Sequence, residues 1–287
     1  MAPFTASAEP AISEADYAKF CDFFYRQTGI SFGTNKQYFV DKRLVARIQK
    51  SGAQTFEQYF AALKRSDSGP EFEQLINLLT VNETYFFRED HQFECMANHM
   101  LPEITARKRK GDKLRIWSMP CSTGEEPYSI AIFLLEKWPA VDDFDIEIIG
   151  SDIDTTVLAA ARLGVYETRA LHRLSRTLVQ RYFKTKPGGT YQLSEALRES
   201  VRFTQVNCTD AAAMRPYSHI DLIFCRNMLI YFDDKSRLTA VQHFYDSLSQ
   251  GGFICLGHSE SMARISAIFA PRSFPQAMVY QKPWAAR

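Results

Sequence analysis

"WSMPCSTGEEPYSIAI", residues 117–132, is the stretch on which the fold of this chain turns. Upstream, Leu114-Arg115-Ile116-Trp117 is a short apolar run of strand type. Downstream, Tyr128, Ile130, Ala131, Leu134 and Leu135 recur at helical spacing. Pro127 is expected at a first helical position, where its missing N–H leaves no bond unmade. The stretch is a strand-turn-helix corner. In open α/β sheets such corners, outside the carboxyl ends of the strands, are where ligands sit.

Outward from this corner the alternation continues. "LRIWS" is followed by a helix, "FDIEIIGSDID" by a helix from Asp154, and then, after a mixed stretch, come "IDLIFC", a helix ending at Gly251-Gly252, "FICLG" and "QAMVYQK". Strands alternating with helices predict an α/β domain with a doubly wound, mostly parallel sheet over residues 114–287. Residues 13 to about 80 have another texture, a series of short helices with Thr55 and Gln58 spaced as a capping box. The helical domain is placed at 13–89, after an expected disordered tail over 1–12. A longer helix from about Asp90 to Arg109, running into "ARKRKGDK", is expected to be a linker over 90–113.

Composition narrows the function classes. A chain of 287 residues favours about two domains, and 46% hydrophobic content suffices for ordinary cores. A net charge of +1 argues against a protein that coats nucleic acid, so any charged partner must be sought in local patches. The six cysteines are scattered without C-x-x-C or zinc-ligand spacing, which predicts reduced thiols in a cytoplasm and no metal site. The first residues lack a basic n-region and an apolar h-region, and no stretch reaches the ~20 apolar residues of a membrane span. A cytoplasmic protein without direct membrane insertion is the expectation.

Charge at the corner narrows them further. A dinucleotide places its pyrophosphate on a helix N-terminus over a G-x-G-x-x-G loop. Here only Gly124 is present, and Glu125 and Glu126 repel an anion. Both glutamates suit the positive end of a helix dipole and also a cationic ligand; they read equally well as ordinary first-turn residues. At the next strand tip, "IIGSDID", Asp154 is a natural N-cap. Asp152 is placed where an acidic side chain accepts bonds from ribose hydroxyls. The two corners together describe a pocket for a ribose and a positive charge without a phosphate. S-adenosylmethionine has that chemistry.

"TVNETYFFRED", "WSMPCSTGEEPYSIAI", "GSDID", "IFCRNMLIYF" and "LGHSE", in this order, resemble the signature blocks of the chemotaxis receptor methyltransferases. The resemblance runs from the N-terminal helices almost to the C-terminus. It implies a small all-helical N-terminal domain, then a Rossmann-like methyltransferase domain bearing a small antiparallel β-subdomain, expected at about 182–206. It further implies methyl transfer from S-adenosylmethionine to glutamate side chains of chemoreceptors in membrane arrays, leaving glutamate methyl esters and S-adenosylhomocysteine. Met119-Pro120 departs from the small residues many members carry there.

Residue by residue, the resemblance assigns cofactor contacts to Asn82, Thr84, Arg88, Glu126, Asp152, Asn207, Cys208, Arg226 and Asn227. Each has a plainer alternative: Asn82 and Thr84 as helix caps, Arg88 and Arg226 as surface ion-pair partners, Asn207 as a turn residue, Cys208 as core. A glutamate carboxylate, which ordinarily titrates at about 4.3, is already a nucleophile at neutral pH. No general base is required, so His91 and His258 are expected to be structural or orienting. Alignment of the carboxylate oxygen with the methyl carbon is then the source of acceleration. Arg88, Tyr231 and Arg226 are the candidates that hold the acceptor.

Docking of the acceptor is expected elsewhere as well. Lys36, Arg43, Arg47 and Lys50 share one helical arc, opposite Tyr38, Leu44, Val45 and Ile48, in a segment 36–50 with five basic residues and one acidic. This is a solvated face or, as the resemblance implies for this domain, a surface for the acidic methylation helices of receptors. Some members also add a receptor's C-terminal pentapeptide to the β-subdomain. Those members carry a longer glycine-bearing loop where this chain has Lys186-Pro187-Gly188-Gly189, so pentapeptide-independent docking is expected. A nicotinamide oxidoreductase lacks support without its phosphate loop. A non-catalytic scaffold of the same fold is disfavoured by the intact "CRNMLIYF" block.

Overall fold

The structure is a computed structural model describing residues 12–65 and 69–284, so the tail expected over 1–12 lies, but for its last residue, outside the described residues. The chain divides between Val81 and Asn82. Among its described residues the first unit holds four α-helices, α1 (Glu14–Thr28), α2 (Gln37–Ser51), α3 (Phe56–Arg65) and α4 (Pro70–Leu79), with a 3-10 turn at Thr34–Lys36. Ser13 caps α1 by accepting from the Asp16 N–H, and Gly29 ends it in the left-handed conformation. Thr55 accepts from the Gln58 N–H as a capping box requires, but Gln58 reaches back to the N–H of Gln54. The core is aromatic: the Phe24 ring meets those of Phe20, Phe32 and Phe72 at 5.5–5.7 Å.

Helix α2 departs from its expected faces. Its buried residues are Val40, Leu44, Arg47 and Ile48, whereas Tyr38 is 81% exposed. Arg47 is thus on the inner face. Its guanidinium forks onto the Glu71 carboxylate, which also accepts from the Tyr59 hydroxyl at 2.5 Å.

The second unit begins at Asn82, so residues 82–89 do not belong to the helical domain. Nor is 90–113 a linker. The helical segment His91–Cys95, Met96–Met100, Leu101–Thr105 has a π turn in its middle. Its side chains Phe93, Met96, Met100, Leu101 and Ile104 pack in one core with Leu114, Ile116, Phe224 and Phe253. Five apolar side chains on one strip are buried at about 1.5–3 kcal/mol each, which a solvated linker would forgo. Within the charged run that follows, Lys108 pairs with buried Asp221 at 2.9 Å.

Ten strands follow: β1 (Lys113–Ser118), β2 (Asp145–Asp152), β3 (Val165–Glu167), β4 (Phe183–Thr185), β5 (Thr190–Leu193), β6 (Val201–Gln205), β7 (Ile220–Cys225), β8 (Leu248–Leu256), β9 (Ala270–Phe274) and β10 (Ala277–Gln281). The main sheet has the order β6-β2-β1-β7-β8-β10-β9. Five strands are parallel, and β10 runs antiparallel to β8 and β9. From β1 the chain builds outward through β2 to β6, then restarts on the other side at β7. The order therefore reverses at β1/β7, the crevice where doubly wound sheets hold ligands.

The smaller sheet is antiparallel in the order β3-β5-β4. It draws Val165–Glu167 from outside the expected 182–206 window, while Val201–Gln205 is instead the parallel edge of the main sheet. The polar stretch "SEALRES" carries a short helix, Glu195–Glu199. Lys186–Gly189 is the tight hairpin turn expected, closed by the Lys186 N–H on the Thr190 carbonyl at 2.8 Å.

Candidate functional site

The corner is built by backbone bonds on both sides of β1. The Met119 N–H donates to the Phe224 carbonyl and the Cys121 N–H to the Ser151 carbonyl, each at 2.8 Å. Gly124 turns the chain at φ 93°, and a Cβ there would stand 3.0 Å from both Ala161 and the Tyr128 ring. The glycine serves close packing of helix on helix, not the approach of a phosphate. Helix Glu125–Lys137 starts one residue later, which puts Pro127 at its third position instead of its first. All its residues from Glu125 to Leu134 are buried, while Leu135, expected on the apolar face, is 53% exposed.

The two glutamates have separate partners. Glu126 accepts from the Ser118 hydroxyl at 2.8 Å and from Arg226 Nε at 2.5 Å. Arg226 also donates to the Arg88 carbonyl at 2.7 Å and lies 3.8 Å from Glu89. It is therefore a buried cation bonded to Glu126 and to the backbone beside Arg88, not the surface ion-pair partner that was its plainer alternative. Glu125 accepts from the Thr123 hydroxyl at 2.6 Å; burial raises its carboxyl above the ordinary range, opposed by that bond and by Arg169.

Asp152, at the end of β2, accepts from the N–H groups of Ser122 at 2.8 Å and Asp154 at 3.0 Å. Burial lifts its carboxyl to about 6. Asp154 is the N-cap expected, accepting from Thr156 and Val157, and it receives the Asn82 amide at 2.8 Å. Asn82 and half-buried Thr84 are thereby brought to the strand tips. Asn207 turns the chain after β6 by accepting from the N–H and hydroxyl of Thr209. Cys208 is buried, its thiol pushed up to about 12, with Asp152 among the charges that raise it. A thiol held protonated is a wall, not a nucleophile.

Arg88 lies between two left-handed residues, Phe87 at φ 57° and Glu89 at φ 55°. Such backbone costs on the order of 1–3 kcal/mol per residue and persists where surroundings enforce it. Here Ser129 holds the Phe87 N–H and Arg226 holds the Arg88 carbonyl. The Arg88 guanidinium donates to the Glu83 carbonyl and stands over the Tyr85 ring at 5.8 Å. Tyr231 is half-buried; burial and Glu83 raise its hydroxyl, and the charge of Arg88 opposes them. Arg88 and Tyr231 are thus within electrostatic reach of each other at one mouth.

Two residues were missed by the sequence reading. Glu260, in "LGHSE", accepts from the N–H groups of Asn227 at 2.8 Å, Gly257 at 2.9 Å and Ile230 at 3.3 Å. It ties the loop after β7, with Asn227 at φ 58°, to the loop after β8. Glu89 accepts from Gln92 at 3.1 Å and contacts exposed His258 at 3.1 Å. For Glu260 the available signal was an acidic residue in the loop after a strand end. Lys36, Arg43, Arg47 and Lys50 are all in the first unit, and of these Lys36 and Lys50 are fully at the surface. Arg43 stacks on Phe39 at 3.5 Å and donates to the Leu78 carbonyl.

Whether this set fits S-adenosylmethionine follows from its charge. The buried Cys121 thiol is raised by burial and then by the charges of Asp152, Glu126 and Glu125, so all three carboxylates bear on this corner. One buried arginine, Arg226, pairs with one of them. The surplus is acidic and disfavours a phosphate while accommodating a cation. Among the described residues no three His, Cys, Asp or Glu side chains cluster as metal ligands.

Comparison with known proteins agrees with this geometry. Residues 82–278 match the family model described as "CheR methyltransferase, SAM binding domain", and residues 15–80 match "CheR methyltransferase, all-alpha domain". The chain is 50% identical over 275 residues to chemotaxis protein methyltransferase 2 of Vibrio cholerae, covering 96% of this chain and 95% of that protein. It is 36% identical over 272 residues to the chemotaxis protein methyltransferase of Salmonella typhimurium, covering 91% and 89%. The fold and site define a Rossmann-like methyltransferase that uses S-adenosylmethionine. More particularly, the chain belongs to the CheR family of chemotaxis methyltransferases.

Proposed function

We propose that the chain methylates glutamate side chains of chemoreceptors in chemotactic adaptation. The observation that supports it best is that Arg226 joins Glu126, at the strand-tip corner, to the backbone of Arg88, whose charge reaches the Tyr231 hydroxyl. S-adenosylmethionine, when bound, supplies the methyl group. Asp152, Asn82, Thr84, Asn207, Cys208 and Asn227 are the residues that would hold it, with Glu126 fixed by Ser118 and Arg226. The acceptor carboxylate arrives ionised, so the residues at the mouth need only orient it. Arg88 offers forked donors to one oxygen, and the Tyr231 hydroxyl steers the other. Arg226 acts through Glu126 and the Arg88 carbonyl as a positioning residue.

On the first unit, Lys36 and Lys50 are the basic residues of the expected stripe left for acidic methylation helices, with Arg43 in part. Arg47 is withdrawn from that role by Glu71. The short turn Lys186–Gly189 supports docking without a receptor pentapeptide. The enzyme would act at the cytoplasmic face of receptor arrays; among the described residues no helix is long and apolar enough to cross a membrane. Incubation with labelled S-adenosylmethionine and chemoreceptor-rich membranes is the test. Base-labile methyl ester on the receptors is expected, and its absence with a protein that binds S-adenosylhomocysteine would refute the reading.

A further inference from the structure

A second cationic surface borders the mouth, within the same unit as the site. Residues 165–182 carry Arg169, Arg173, Arg176 and Arg181 against one acidic residue, Glu167, in a chain whose net charge is only +1. The fold sorts them. Ala170, Leu171 and Leu174 are buried and join the core of the methyltransferase domain. Arg169 in the 3-10 turn Thr168–Leu171, His172 and Arg173 in the turn after it, and Arg176 at the start of the helix Arg176–Tyr182 are all exposed. Arg181 is occupied by Glu136 at 2.6 Å, and Arg169 meets the exposed Glu167 at 3.3 Å.

This shelf is fastened to the catalytic mouth. The Ala170 carbonyl accepts from the Phe86 N–H at 2.9 Å, two residues before Arg88. The His172 ring packs on the Tyr85 ring at 4.7 Å, and Tyr85 is the ring over which Arg88 stands. Arg169 adds its charge to the field at buried Glu125. Ring contacts therefore lead from Arg88 through Tyr85 to His172, which is next in sequence to Arg173.

Resting on the proposed function, we infer that Arg173 and Arg176, with His172, bind acidic side chains of the acceptor polypeptide flanking the glutamate that enters the mouth. Guanidinium forks match carboxylates carried along a polypeptide, and a rim of one charge raises the encounter rate of a partner of the other. The surface would set which glutamates of an acidic segment reach Arg88.

The test uses the full chain with receptor-rich membranes. Arg173→Glu with Arg176→Glu should raise KM for receptor roughly fivefold or more and flatten its rise with ionic strength, since rim charges act on association. The kcat at saturating receptor and the calorimetric affinity for S-adenosylhomocysteine should not change, which also shows that the variant is folded. Arg173→Lys with Arg176→Lys should keep most of the wild-type KM. Unchanged KM and salt dependence in the charge-reversed variant would overturn the inference. So would loss of binding to a DNA duplex with KM intact, which would assign the shelf to phosphates. A wild-type enzyme that labels no receptor would instead strike at the proposed function itself.

Discussion

Arg226 and Glu126 stand 100 residues apart in the chain and meet in a buried ion pair, Nε to Oε2 at 2.5 Å, with side chains 3% and 8% exposed. The pair joins the loop after β7 to the first turn of the helix after β1, across the point where the strand order reverses. Through its second contact, on the Arg88 carbonyl, Arg226 also fixes the strained backbone that carries the Arg88 guanidinium. One interaction thus sets the shape of both halves of the mouth.

Removing one partner of such a pair leaves a charge buried alone. Arg226→Met should destabilise the second unit by about 3–5 kcal/mol. Adding Glu126→Gln should recover a large part of that loss. Thermal unfolding of the two variants beside wild type is the measurement. A variant with unchanged Tm and lost activity would mean that Arg226 touches the acceptor after all.

Asp152 carries a pH signature. Its carboxyl titrates near 6 in the free protein because burial disfavours the charge. Ribose hydroxyls donating to it would favour the charged form and lower that value. Binding of S-adenosylhomocysteine between the two values should then release protons, and affinity should fall as pH drops below about 6. Calorimetry in buffers of different ionisation heat reads the release, which Asp152→Asn should abolish.

Tyr231→Phe separates orientation from binding. Loss of the hydroxyl should lower kcat about tenfold to a hundredfold, as misalignment of reacting groups does. The affinity for S-adenosylhomocysteine should hold within a factor of about two, because orientation and not cofactor contact is lost. Equal loss of both would place the ring in the cofactor wall.

In the first unit, burial raises the Glu71 carboxyl, but the bonds from Arg47 and Tyr59 outweigh it and hold the group below its ordinary value. A depressed carboxylate contributes stability that is complete above the unfolded pKa of about 4.3 and is lost as pH falls through the folded value. Acid should therefore weaken wild type more steeply than Glu71→Gln below about pH 4. Arg47→Glu should lower Tm even at pH 7, whereas Lys50→Glu should leave it nearly unchanged. Circular dichroism melts across pH 3–7 would show a parallel decline in both proteins if the pair contributes nothing.

The chain's own order of residues determined the alternation of strands and helices, the corner at Gly124, the N-cap at Asp154 and the placing of Asp152 at a strand tip. These depend on periodicity and on neighbours a few residues away, and such short-range terms survive in any tertiary setting. Tertiary structure alone decided what became of the charges. Arg47 and Arg226 look like surface arginines in sequence, yet Glu71 and Glu126, distant in the chain, draw both inward. It likewise decided that Val201–Gln205 pairs with β2 and not with the small sheet, and that the helical segment from Phe93 to Ile104 packs into the core. A buried charge or an edge strand is settled by the partner that satisfies it, and that partner is brought near only when the chain has folded.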